Sequence, residues 1–339
     1  MVTKTIGLMS IGRKYSIVES FRSAASSVES ERRGAGDGIR VVCLDASPAG
    51  VAVPPGVDII QVPPAELKYS KELARIIEEN SIDVAVPTCD HDIKFLAEAT
   101  KFLSPPSTTL CPLSGWSSMV VVDKYLQASE PSLRGWHPPS VLASRLYNES
   151  LEFADGHECV LKPCGGNGSN GQYRFATDSQ AVDIALSMGI DLEDYIAQKV
   201  VEGFEYTFHC LMWYGKLVEW GCYERIATYA GHSVIARACK PEWAKKYVQT
   251  LTETKLFVNL HGVVCFQVID DGERSHLIEV NGRIGSGYPL LHAAGSSILQ
   301  NAIRLSFGME VEEPGFTEGI IAKRYESFLV STDTESGGD

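Results

Sequence analysis

The stretch ECVLKPCGGNGSNGQYRF, residues 158–175, constrains the fold more than any other part of the chain. Gly166, Gly168 and Gly171 match the G-x-G-x-x-G spacing of dinucleotide-binding turns, which need a strand before the glycines and a helix directly after them. Here the exit differs. ECVLKP is apolar like a buried strand, QYRFATD alternates like a second one, and helical periodicity resumes only near Asp178 and Ser179. The glycines are therefore expected at the tip of a β-hairpin. Such a loop can fold over the phosphates of a nucleotide and present backbone N–H groups to them. Taken alone, the cluster is equally compatible with a plain mobile connection.

The first hundred residues alternate between buried strands (TIGLMS, IRVVCLD, VDIIQVP, DVAVPT) and amphipathic helices (YSIVESFRSAASSVES, ELKYSKELARIIEENS). That alternation predicts a parallel sheet with helices on its faces. Gly7 and Gly12 are not spaced for a phosphate-binding turn, so this unit is not expected to hold a dinucleotide. ERRGAGDG at 31–38 reads as an exposed connection, and PSTTLCPLSG near 106–115 as a domain boundary. Beyond the hairpin, EYTFHCLMW, KLVEWGCYERIA, SVIARAC, GVVCFQVID and SHLIEVNGR predict a long antiparallel series. The segment PEWAKKYVQTLTETKLFVNL is expected to be one helix ended by His261-Gly262. SSILQNAIRLSFG predicts a last helix, IIAKRYESFLV a short strand, and STDTESGGD a disordered tail.

A chain of 339 residues is expected to form two or three compact units. Its 30 basic and 43 acidic residues leave a formal charge of −13, which excludes a nucleic-acid backbone as the expected partner. Nine cysteines, an odd count without C-x-x-C, predict reduced thiols in a cytoplasmic protein, most of them acting as small buried hydrophobes. No apolar run approaches the length of a membrane span and no cleavable leader pattern opens the chain, so a soluble protein without a membrane partner is expected. His91, within CDHD, reads as the start of a helix rather than a metal ligand.

In HLIEVNGR the strand period places Ile278 and Val280 on one face and Glu279 and Asn281 on the other. A carboxylate and an amide oxygen two residues apart suit a hard cation such as Mg²⁺. Gln267, on the preceding strand, joins that face if the connection is an odd-length loop centred on Glu273. A two-residue Asp271-Gly272 turn would carry it to the other side of the sheet.

Lys124 in VVDKYL, Lys162 in VLKPCGGNGSNG, the strand AQKVVEGFEYTF, Gln267 and IEVNGRIGSGYPL follow one another in the order of a known superfamily. Over about residues 1–325 the chain resembles the ATP-grasp enzymes, and within them the carbamoyl-phosphate-synthase-like carboxylate–amine ligases. The fold this implies is α/β, turning α+β in the C-terminal half: an ATP-grasp fold with an N-terminal Rossmann-like pre-grasp domain. The expected units are that domain at 1–113, a small lobe with the glycine loop at 114–200, a large lobe with metal-binding strands at 201–330, and a tail at 331–339. The resemblance assigns Lys124 and Lys162 to the phosphates of ATP, with Gly165, Gly166, Gly168, Ser169 and Gly171 as a lid. Gln198, Lys199, Val200 and Val201 would meet adenine, and Glu205 the ribose hydroxyls. Gln267, Glu279 and Asn281 would hold Mg²⁺, with Mn²⁺ as the alternative ion, and Arg283 and Lys162 would act on the transferring phosphoryl group. Gly282 stands where the E-x-N-P-R motif has proline, leaving a looser turn. Arg225, Arg237 and His292 are further candidates to meet substrate.

The implied activity is amide or peptide bond formation through an acyl phosphate, releasing ADP and phosphate, on amino acids or short peptides as the carboxylate and amine partners. A homodimer is compatible with it. A phosphotransferase without an amine acceptor, or an ATP-binding sensor without turnover, would share the fold. The chemistry needs cations around two converging anions and a lid against water, and no side-chain nucleophile.

Overall fold

The structure is a computed structural model that describes residues 3–31, 38–104, 108–112, 114–148, 153–154, 156–166 and 171–325. Gly168, Ser169, the 331–339 tail and most of the 31–38 connection lie outside the described residues.

The continuous apolar runs of the N-terminal part form β1 (Lys4–Met9), β2 (Ile39–Asp45), β3 (Ile59–Gln61), β4 (Val84–Val86) and β5 (Thr108–Thr109). They make one parallel sheet in the order β3-β2-β1-β4-β5. Helices α1 (Tyr15–Glu31), α2 (Ser70–Glu79) and α3 (Asp90–Ala99) cover it. Their apolar faces enter two cores, one holding Val18, Phe21 and Val28, the other Leu73, Ile77 and Phe95. The chain changes direction between β1 and β4, where α/β sheets commonly take ligands. Here the protein fills that crevice itself. Lys14 Nζ bonds Ser10 O (3.1 Å), Thr88 O (3.0 Å) and Thr88 Oγ1 (2.8 Å).

Helices α4 (Gly115–Val120) and α5 (Lys124–Ser129) follow. Although expected with the small lobe, Val120, Val121 and Leu133 pack in the same core as Phe208, Phe266 and Val280. The Gln127 side chain explains the docking: its amide donates to Val280 O and accepts from Val280 N, both at 2.8 Å, completing the edge of a strand of the larger sheet.

A four-stranded sheet comes next, built from β6 (Ser140–Leu142), β7 (Cys159–Pro163), β8 (Tyr173–Phe175) and β9 (Tyr195–Lys199) in the order β6-β9-β7-β8. Helices α6 (Ser144–Asn148) and α7 (Asp178–Met188) accompany it. Strands β7 and β8 pair antiparallel, with Leu161 opposite Tyr173, so Gly166 and Gly171 lie on the connection of a hairpin.

The third sheet has the order β14-β13-β10-β11-β12-β15. Its strands are β10 (Phe204–Trp213), β11 (Lys216–Tyr229), β12 (His232–Cys239), β13 (Gly262–Asp270), β14 (Ser275–Asn281) and β15 (Ile321–Lys323). Alternation buries Phe208, Cys210, Val264, Phe266 and Val268 in one core. It leaves Glu205, Thr207, Cys265 and Gln267 on the opposite face. Helices α8 (Ala244–Thr252), α9 (Tyr288–Ala293) and α10 (Ile298–Ser306) pack around the sheet. The expected long helix stops early, at Thr252. There Thr254 Oγ1 bonds Leu251 O at 2.8 Å, taking up a carbonyl at the helix end. Among the described residues, no helix is long and apolar enough to cross a membrane.

Candidate functional site

The site gathers where the four-stranded and six-stranded sheets face each other beside the N-terminal end of α3. Lys162, on β7, and Gln198, on β9, occupy diagonal positions of paired strands, because Lys162 is opposite Ile196. Lys162 Nζ donates to Gln198 Oε1 at 2.8 Å. Gln198 Nε2 in turn donates to Ser140 Oγ at 3.0 Å, so the amide is oriented from both ends. Burial lowers the Lys162 pKa to about 8, against the pull of Glu279, while Lys124 adds to the lowering and Glu205 opposes it. One lysine therefore feels Glu279, Lys124 and Glu205 together.

Lys124 opens α5, held there by its own N–H to Cys164 O at 2.7 Å. Its Nζ bonds Gly166 O at 2.8 Å and lies 3.8 Å from Glu279 Oε2. Gly166 has φ of +97°, a conformation that favours glycine, and this turns its carbonyl to the lysine. The base of the glycine loop is thus attached to the metal-ligand candidates.

Gln267 and Glu279 are direct partners across β13 and β14, but the expected odd-length loop is not what pairs them. The connection is an even four-residue loop, with Asp270 opposite Ser275 and Asp271 Oδ1 accepting from Glu273 N (2.9 Å) and Arg274 N (2.7 Å). Continued unchanged, that register would set Gln267 opposite Ile278. A β-bulge between Gln267 and Val268 shifts it by one residue and brings in Glu279. Leu277, rather than Ile278, therefore shares a core with Val280, three positions on.

From Glu279 a chain of polar contacts runs to the N-terminal domain. Asn281 Nδ2 donates to Glu279 Oε1 at 3.1 Å, and Arg283 Nη2 donates to Asn281 Oδ1 at 3.2 Å. Arg283 Nε donates to Asp90 Oδ1 at 2.6 Å. Burial opposes the charge on Arg283, yet Asp90 holds its pKa above the ordinary arginine value. Gly282 is not loose. A Cβ there would meet Val121 Cγ2 at 2.8 Å and Pro112 Cγ at 3.2 Å, so the close approach of the α4 end requires glycine.

Other candidates fall differently. Lys199 follows Gln198 directly and lies on the opposite face of β9, 5.8 Å from the Phe153 ring, away from Lys162. Its N–H bonds Pro139 O (3.0 Å), and Val200 N–H bonds Glu158 O (2.9 Å), so neither amide hydrogen is free for a base. Glu205 forms an ion pair with Arg225, and burial raises its pKa against that pairing. Arg225 is spent on Glu205, Ser233 Oγ (2.9 Å) and Gly231 O (2.7 Å), and Arg237 pairs with Glu224 at 2.5 Å. Neither arginine is available to a substrate carboxylate in this arrangement. His292 bonds none of the site residues. Asp90, Gln127 and Ser140 are the participants that the sequence did not reveal; Asp90 stood inside CDHD, legible only as a helix start.

As to a cation, Gln267, Glu279 and Asn281 supply hard oxygen donors on adjacent strands, and Glu279 is their one carboxylate. That set suits Mg²⁺, which keeps positions open for phosphate oxygens. Among the described residues, no cluster of three or more His, Cys, Asp or Glu is placed to hold a metal.

Two family models match the chain: a PylC-like N-terminal domain over residues 6–109 and an ATP-grasp domain over residues 121–287. No curated protein sequence matches. Solved structures do. The biotin carboxylase domain of Hydrogenobacter thermophilus 2-oxoglutarate carboxylase, in complex with MgADP and bicarbonate, is 16% identical with a TM-score of 0.66, over 92% of this chain and 72% of that one. N5-carboxyaminoimidazole ribonucleotide synthetase from Thermus thermophilus is 16% identical with a TM-score of 0.62, over 93% and 81%. L-amino acid ligase from Bacillus licheniformis is 18% identical with a TM-score of 0.62, over 89% and 74%. At these identities the likeness is one of fold.

Proposed function

We propose that this chain, whose residues 121–287 match an ATP-grasp domain, is an ATP- and Mg²⁺-dependent carboxylate–amine ligase acting on amino acids or short peptides through an acyl phosphate. The observation that carries this is the unbroken run of contacts Gly166–Lys124–Glu279–Asn281–Arg283–Asp90, with Lys162 beside it. It joins the base of the glycine loop, two of the candidate cation ligands and a buried guanidinium in one place.

In this reading Lys124 and Lys162 bind the phosphates of ATP, and Lys124 exchanges its bond to Gly166 O for phosphate oxygens. Gln267, Glu279 and Asn281 hold Mg²⁺, which when bound would neutralise charge on the phosphates. Arg283, fixed through Nε by Asp90, turns its Nη atoms to the phosphoryl group that passes from ATP to the substrate carboxylate. The glycine loop then excludes water from the acyl phosphate, whose carbon the amine attacks as phosphate leaves. With Lys199 facing away, adenine contacts fall to Gln198, Val201 and the carbonyls of this stretch, and the Arg225 pair presets Glu205 for the ribose.

The test is ADP release from ATP and Mg²⁺ across a matrix of amino acids and small carboxylates, each with and without an amine, using Glu279→Ala as the blank. ADP that requires one acid and one amine together, with a product of the condensed mass, supports the ligase. ADP formed with the acid alone and a stable phosphorylated product would overturn it in favour of a phosphotransferase.

A further inference from the structure

All nine cysteines are free thiols, and two of them face each other. Cys222, on β11, and Cys239, at the end of β12, are direct cross-strand partners. The Cys222 S–H donates to the Cys239 carbonyl oxygen at 2.8 Å. Cys210 and Cys265 also lie on neighbouring strands, but Cys210 faces Val264 and Cys265 faces His209, which puts them on opposite sides of the sheet. Cys159 and Cys164 sit on and just after a single strand. The Cys222–Cys239 pair is the one with cross-strand alignment.

Direct antiparallel partners hold their Cα atoms about 4.5 or 5.5 Å apart, and a disulfide spans about 4.4–6.8 Å, so either pairing type allows the bond without moving a strand. The two thiols also differ in the way a reactive pair requires. Cys239 is half-buried and Cys222 is fully buried. The neighbouring Cys222 side chain, the Glu224 backbone and Arg237 hold the Cys239 pKa below the usual thiol value, whereas burial pushes Cys222 well above it.

We propose that Cys222 and Cys239 form a dithiol site for peroxides, which closes to an intramolecular disulfide. The Cys239 thiolate attacks one oxygen of hydrogen peroxide; the O–O bond breaks, an S–O bond forms, and the departing hydroxide takes up the proton that the thiol released. Cys222 then attacks the sulfenic sulfur of Cys239. The S–O bond breaks as the S–S bond forms, and the hydroxide leaves as water with the Cys222 proton. Two thiols lose two electrons and two protons in all, and the peroxide is reduced to two waters.

The experiment exposes the full chain to hydrogen peroxide, digests it without reduction and maps the linked peptides by mass. Arg225 and Arg237 provide tryptic cuts between the two cysteines. A Cys222–Cys239 linked pair, lighter by two hydrogen atoms than its parts and separated by dithiothreitol, is the expected product. Cys239 should also react about tenfold faster than half-buried Cys164, whose pKa burial raises to about 11. Cys239→Ser should abolish the link, and Cys222→Ser should halt at a dimedone-trappable sulfenic acid on Cys239. Both cysteines staying reduced while other thiols oxidise, or Cys239 passing to the sulfinic acid without a link in the wild type, would overturn the proposal. Neither outcome depends on the ligase reading, because no substrate enters the assay.

Discussion

The Asp90 carboxylate holds Arg283 Nε at 2.6 Å across 193 residues of sequence, with only 10% and 11% of the two side chains exposed. The pair joins the N-terminal domain to the loop that follows β14. Replacing Asp90 by Asn keeps an acceptor but removes the charge that orients the guanidinium. ADP formation in a single turnover should then fall about 10- to 100-fold, with ATP binding near wild type. Wild-type turnover with Asp90→Asn would reduce the contact to a domain fastener.

Lys162 should couple ATP binding to protons. Its pKa of about 8 in the free protein lies below the unfolded value of about 10.4, so between those limits the unfolded chain holds more protons. The free protein therefore gains stability from this group as pH rises from about 8 to about 10.4. Phosphates beside the ammonium reverse the preference. Binding should take up a fraction of a proton and weaken as pH rises above about 8, as calorimetry in two buffers of different ionisation heat would read. Lys162→Met should remove the uptake, and an equal uptake in that variant would assign it elsewhere.

Restoring the proline of the family motif should harm this chain. Gly282 packs against Val121 and Pro112 too closely for a Cβ, and overpacking costs about 1–3 kcal/mol. Gly282→Pro is expected to unfold at lower denaturant, and Val121→Ala in the same chain should recover part of the loss. A wild-type midpoint for Gly282→Pro alone would show that the neighbours yield freely.

His209 should report acid sensitivity beside the site. Its Nε2 accepts from Gly285 N at 3.1 Å, and burial lowers its pKa to about 3. Below the unfolded value of about 6.5 the unfolded chain binds a proton that the folded chain refuses, so stability falls as pH drops from about 6.5 towards 3. Compared with His209→Gln, the wild type should lose up to about 1.4 kcal/mol more per pH unit between pH 6 and 4. Parallel pH profiles of the two denaturation midpoints would contradict this.

Most of the element order was legible in the sequence because each signal is local. The strands of the first sheet are continuous apolar runs, and the hairpin under the glycines shows as a strand pattern on both sides of them. Even the position of Lys199 was implicit, since adjacent strand residues face opposite ways and Gln198 cannot share a side with it. The end of α8 was less legible: Thr254 stops the helix through a side-chain bond that periodicity does not register.

By itself the sequence determined most strands and helices, and which side chains share a face along an unbroken strand, because both follow from dihedral preference and a fixed period. The tertiary structure decided the rest of the site. Gln267 meets Glu279 only because a bulge absorbs one residue while Leu277 and Val280 both keep their places in the core, a balance of packing that no single strand encodes. Arg283 finds Asp90, and Glu205 finds Arg225, because burial forces each charge to pair with whatever the fold brings near, and nearness across the chain has no local signal.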